Sequence, residues 1–117
     1  NYLNMEIATI LLHKKNYEVV QAGNGQDGVE KFKNSQTGEF AAILMDLRMP
    51  LMDGYAATKA IRSLQRPDAQ IIPIIALSAD AYEEDVQQAL RIGMNAHLAK
   101  PFSPQELYTV LEKFLLN

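Results

Sequence analysis

Three residues of this chain stand where a polar group closes an apolar run: Asp46 in "FAAILMD", Ser78 in "IIPIIALSA" and Lys100 in "AHLAK". A carboxylate is a nucleophile or a hard-oxygen ligand, a serine offers a hydroxyl donor, and a lysine is a point charge with three donors. An Asp–Lys pair at about 4 Å is worth up to roughly 4 kcal/mol before desolvation is subtracted. Taken singly, each has a plainer reading: an aspartate capping a turn, a serine at a helix entry, a surface lysine ahead of a turn proline. They gain interest together because each ends a run that reads as a strand.

Those runs belong to an alternating pattern. Leu3, Ile7, Ile10 and Leu11 repeat at helical spacing, "YEVVQA" reads as a strand, and Asn24-Gly25 opens a helix bearing Val29 and Phe32. "FAAILMD" is the next strand, and Ala57, Ala60, Ile61 and Leu64 mark one face of a helix that follows Gly54 and must end before Pro67. "IIPIIALSA" supplies another strand. Asp80 with Glu83 predicts a helix N-terminus, and Val86, Ala89 and Leu90 form an inward stripe that stops at Gly93. After the short strand "AHLA", Ser103, Pro104 and Glu106 predict a capped final helix with Leu107, Val110, Leu111, Phe114 and Leu115 inward. "AAILM" and "IIALS" are apolar almost continuously, which burial on both faces of a parallel sheet demands. The predicted class is α/β, doubly wound. Right-handed crossovers carry strand C-termini to one edge, so Asp46, Ser78 and Lys100 are expected to converge there.

Composition sets outer limits. A chain of 117 residues, 48% hydrophobic, makes one domain that buries roughly two-thirds of its unfolded surface. The net charge is -3, with 11 basic and 14 acidic residues intermixed, which gives no basic stripe for nucleic acid. Cysteine is absent, so no disulfide framework or thiolate metal site is available, and a cytoplasmic location is expected. No apolar run approaches the roughly 20 residues of a spanning helix, so no direct membrane contact is expected of this segment.

In this order, "MDLRMPLMDG", "ALSA" and "HLAKPF" resemble the response-regulator receiver domain of two-component signalling, over nearly the whole chain. "GMNAHLAKPFSPQEL" is similar to receivers fused to hybrid sensor histidine kinases. The resemblance implies a flavodoxin-like sheet of order 2-1-3-4-5. It implies that Asp46 is the phosphoacceptor, taking its phosphoryl group from a histidine kinase or a histidine phosphotransfer protein. Mg2+ would be held by Asp46 and the backbone carbonyl of Arg48, whose side chain is expected to be simply solvated. Lys100 would pair with Asp46 at rest and with a phosphoryl oxygen afterwards, and Ser78 would donate to the phosphoryl group. Pro101 would follow a cis peptide. His97 stands where the family carries an aromatic switch residue, although a lone strand histidine is also read as simply half-buried. His13, Met49, Met52 and Met94 read as helix-end and packing residues, and Asp53-Gly54 as a helix cap.

The match departs from the family at its beginning. "NYLNMEIATILL" looks like the segment that follows the family's first strand and acidic pair, so residues 1–117 are expected to be an N-terminally incomplete receiver domain. The strand lacking would lie at the sheet centre, leaving roughly 9 to 10 Å between "YEVVQA" and "AAILMD". Upstream residues are expected to fill that slot and to supply the metal's other carboxylates. Two alternatives are another segment in the slot, or a degenerate receiver acting as a phosphorylation-independent interaction module. A haloacid-dehalogenase-type enzyme shares the architecture, but needs an aspartate where Arg48 stands.

Overall fold

The structure is a computed structural model describing residues 2–49, 51–79 and 83–115. Its elements are α1 (Tyr2–Lys14), α2 (Gly25–Lys33), β1 (Ile43–Asp46), α3 (Gly54–Arg62), β2 (Ile74–Ser78), α4 (Glu83–Ile92), β3 (Ala96–Ala99) and α5 (Pro104–Leu115). The three strands are parallel and lie in chain order, with Asp46 beside Leu77 and Ser78 beside Ala99.

Local sequence explains most element ends. The Asn24 side chain accepts from the N–H of Asp27, an orphan donor of the first turn of α2, and the Asp27 carboxylate reaches back to the N–H of Gly23 ahead of the cap. Asp53 caps α3 through the N–H of Ala56, and Ser103 and Glu106 close the reciprocal box that opens α5. α4 ends at Gly93 with φ of 118°, where the N–H of Met94 reaches the Ala89 carbonyl. α1 ends the same way through Asn16, at φ of 67°, with Tyr17 bonded back to Leu12. Asp80 and the side chain of Leu3 lie outside the described residues.

The continuous apolarity of the strands has the expected cause. Met45, Ile74 and Ala76 pack on one face with Phe32, Ala57, Ile61, Ala89 and Met94, whereas Ile75 and Leu98 pack on the other with Leu11, Leu12, Leu107 and Leu111. Helices therefore cover both faces. One member of the expected inward stripe of α4 differs: Ala89 is buried, but Leu90 is 46% exposed.

A larger correction concerns "YEVVQA". Residues 17–22 are not a strand; they form no ladder with β1 among the described residues. Between them and Ile43–Asp46 lies a cavity of about 270 Å³, lined by Val19, Val20, Ala22, Leu44 and Met45 and reaching Asp46 and Lys100. β propensity alone does not make a strand, because backbone N–H and C=O groups need a neighbour within ladder distance. The segment is held from the helices instead: Lys31 donates to the Gln21 carbonyl, and the Gln21 side chain donates to Thr9.

Two arginines fasten the end of the sheet where strands begin. Arg66 grips Asp68 through two contacts of 2.7 and 3.0 Å, donates to the carbonyls of Phe32 and Ser35 at 2.8 and 3.0 Å, and stacks 4.4 Å from the Phe32 ring centre. Arg62 donates to the carbonyls of Gly93 and Ala69 and to the Asn95 side chain, which also accepts from the N–H of Ile74.

Candidate functional site

The opposite end of the sheet collects the residues singled out by type. β1 delivers Asp46 at its last position, 54 residues away in sequence from Lys100, and Lys100 Nζ donates to Asp46 Oδ2 at 2.8 Å. The two side chains are 21% and 11% exposed, so the pair is sheltered but reachable. The backbone N–H of Arg48 approaches the other carboxylate oxygen at 3.3 Å. Gly54 permits the tight return of the following loop: a Cβ there would stand 2.5 Å from the Asp46 carbonyl oxygen. The same loop passes through Leu51 in the left-handed region at φ of 70°, which is strained for a non-glycine residue.

Ser78, at the end of β2, is 4% exposed, and its backbone carbonyl accepts from the N–H of Lys100 at 2.7 Å. Its hydroxyl oxygen lies 2.7 Å from His97 Nε2. His97 sits one residue into β3 beside Ala76, half-buried, and burial lowers its pKa below the ordinary value of 6.5, against an opposing pull from Asp85. The Lys100–Pro101 peptide is cis. The fold gathers four residues singled out in the sequence as two contacting pairs: Asp46 at the end of β1 with Lys100 just after β3, across β2, and Ser78 at the end of β2 with His97 within β3.

Asp85 escaped the sequence reading. It lies on α4, its side chain 24% exposed, and meets Arg48 Nη2 at 3.8 Å. Arg48 is therefore not wholly solvated, although the contact is long and its side chain 69% exposed. The Tyr55 hydroxyl reaches the Asp85 backbone carbonyl at 3.4 Å, and burial, then Asp85, raise the Tyr55 pKa. An acid in the body of an amphipathic helix reads as solvent-facing, so no sequence signal marked it.

The Asp46 carboxylate and the Arg48 backbone carbonyl are hard oxygen donors of the kind Mg2+ prefers. They fit the ion in kind and fall short in number. Among the described residues, no group of three or more His, Cys, Asp or Glu side chains could hold a metal. No helix among them is long and apolar enough to cross a membrane.

A family model described as the response regulator receiver domain matches residues 1–112. Hybrid signal transduction histidine kinase M of Dictyostelium discoideum is 36% identical over the whole of this chain. The osmosensing histidine protein kinase SLN1 of Saccharomyces cerevisiae is 34% identical over 97% of it. The chain spans only 5% and 9% of those two proteins' lengths. Among solved structures, the receiver domain of sensor histidine kinase PA1611 from Pseudomonas aeruginosa superposes with a TM-score of 0.88 at 35% identity. That match covers 100% of this chain and 92% of the other, and the PA1611 structure carries a magnesium ion coordinated in the active site cleft. The chemotaxis protein CheY4 of Vibrio cholerae gives a TM-score of 0.84 at 28% identity, covering 94% of this chain and 88% of its own.

Proposed function

The chain belongs to the family of response regulator receiver domains, with the flavodoxin-like α/β fold of its structural neighbours, and from that premise we propose that Asp46 is the phosphoacceptor of a two-component phosphorelay. The observation carrying this reading is the 2.8 Å contact between Lys100 and Asp46, made by two strand ends 54 residues apart. The donor is a phosphohistidine on a histidine kinase or a histidine phosphotransfer protein, and the longer polypeptide is a hybrid sensor histidine kinase. A carboxylate oxygen of Asp46 attacks phosphorus, the P–N bond breaks with its electron pair left on the imidazole nitrogen, and an acyl phosphate forms. Lys100 then follows the charge from the carboxylate to a phosphoryl oxygen, and Ser78 donates to another. Mg2+, when bound at the Asp46 carboxylate and the Arg48 carbonyl, draws charge off the transferring group. Intact-mass spectrometry with acetyl phosphate and Mg2+ tests the assignment. Uptake of one phosphoryl group that disappears in Asp46→Asn is expected; undiminished uptake in that variant removes Asp46 from the role.

The cavity between residues 17–22 and β1 is the slot of an extended upstream segment whose acidic residues complete the metal site. Val19, Val20, Leu44 and Met45 line it with apolar surface, and Asp46 stands at its rim. Adding upstream residues should therefore raise both the unfolding temperature and the Mg2+ affinity relative to residues 1–117 alone. Equal stability and equal metal binding of the two polypeptides would overturn the assignment of the slot. A second reading is a degenerate receiver that binds partners without phosphorylation. Failure to take up phosphate with the upstream segment present selects it.

A further inference from the structure

The contact between Ser78 and His97 joins a titratable ring on β3 to a hydroxyl at the end of β2, the strand beside the one that carries Asp46. A neutral imidazole nitrogen without a proton accepts a hydrogen bond, whereas a protonated one can only donate. A serine hydroxyl has one proton to give and lone pairs to offer. At 2.7 Å the two groups are bonded in either protonation state, but the serine proton points in different directions. With neutral His97 accepting at Nε2, the hydroxyl proton is committed to the ring. With His97 protonated, Nε2–H donates to Ser78 Oγ and the hydroxyl proton is released for another acceptor.

We propose that His97 is a positioning residue whose protonation aims the Ser78 hydroxyl, so that proton binding at His97 and phosphoryl binding at Asp46 favour one another. The proposal rests on the phosphoacceptor reading of Asp46 and adds to it a chemical signal, pH, that the same site integrates. A phosphoryl group brings about -1.5 to -2 of charge and strong acceptor oxygens. It therefore takes the serine proton and leaves Oγ as an acceptor for Nε2–H, which raises the affinity of His97 for its own proton. Linkage makes the effect reciprocal. In the window between the lower resting pKa and the higher phosphorylated one, the phosphorylated state binds more protons, so falling pH favours it; above both values pH has no influence through this group. Each unit of difference between the two pKa values is a tenfold change in the coupled equilibrium.

The surroundings do not supply a competing explanation. From α4, the charge of Asp85 pulls the ring's pKa upward, but burial outweighs it. Arg48, beyond β1, lies against Asp85, and Tyr55 on α3 reaches the Asp85 backbone. Arg62 on α3 is spent on Gly93, Ala69 and Asn95, ahead of β3. Lys100, three residues on, holds Asp46. α5 packs through Leu107 and Leu111 on the Leu98 face, and its Glu106, Glu112 and Lys113 are exposed.

The test follows the His97 imidazole by NMR across pH. In the resting chain, Ser78→Ala should move the His97 titration to higher pH, because the donor that holds the ring neutral is gone, and Ser78→Thr should restore the wild-type curve. A titration indifferent to Ser78→Ala overturns the proposal, since burial alone would then account for it. With the upstream residues present and beryllofluoride and Mg2+ added, the wild-type titration should move to higher pH, and the Ser78→Ala titration by less. Equal movement in both reduces the effect to the field of the bound anion and overturns the aiming of the hydroxyl. Failure of beryllofluoride to load the wild type counts against the phosphoacceptor reading of Asp46, while the resting comparison still decides the link between Ser78 and His97.

Discussion

Two acid–base pairs sit at opposite ends of the same sheet, and they are built differently. Arg66 and Asp68 lie ahead of β2, joined by two contacts, with the rest of the guanidinium spent on carbonyls of Phe32 and Ser35 and its face on the Phe32 ring. Asp46 closes β1 and Lys100 follows β3, and the ammonium meets the carboxylate at 2.8 Å. A planar fork with every arm engaged fixes geometry, whereas an ammonium on a flexible stem is a point charge that can move from one oxygen to another. The arginine pair therefore suits a fastening and the lysine pair suits a switch.

Exchanging the damage between the two ends tests that division. Arg66→Ala takes the guanidinium from the Asp68 carboxylate, which keeps the Gly38 N–H, and from the carbonyls of Phe32 and Ser35, and should produce the larger stability loss, read as a lower midpoint in urea. Lys100→Ala should cost much less stability. In the chain with its upstream residues it should still take up some phosphate while losing the response around His97 and the last two helices, measured by amide-resolved NMR with beryllofluoride. An Arg66 variant that unfolds no more easily than the Lys100 variant breaks the comparison.

A smaller effect sharpens it. The Arg66 side chain, and next the Gly38 N–H, hold the Asp68 carboxyl down to about 2, below the ordinary 3.8. A depressed carboxyl pKa means that the unfolded chain binds the proton more readily, so this contribution is complete above pH 3.8 and is lost as pH falls from there toward 2. Asp68→Asn should flatten the acid limb of a stability profile over that window. His97 acts in the same sense at higher pH, because its depressed pKa withdraws stability as pH drops below 6.5. Profiles of wild type and Asp68→Asn that overlay between pH 4 and 2 would show that the fastening is not the acid-sensitive element.

Legibility in the sequence followed the range of the interaction. Ser103 and Glu106, Asp53 and Ala56, and Gly93 after α4 act within a few residues of one another, and the expected caps and stops form there. Apolar runs ending at Asp46 and Ser78 marked strands correctly because each has a neighbour to bond to. "YEVVQA" carried the same signal and has no neighbouring strand among the described residues, so its propensity found no ladder. Arg62 and Arg66 were missed because their partners are mostly backbone carbonyls, up to 34 residues away, and a carbonyl has no letter in a sequence.

The sequence by itself determined the α/β class, the capped helices and the set of polar residues that close the strands, because side-chain type and spacing carry those properties directly. Only the tertiary structure decided that Lys100 meets Asp46, that Ser78 meets His97, that Asp85 meets Arg48, and that a cavity separates residues 17–22 from β1. Those outcomes depend on which backbones lie side by side, and ladder hydrogen bonds and burial of both sheet faces settle that choice cooperatively across the whole chain.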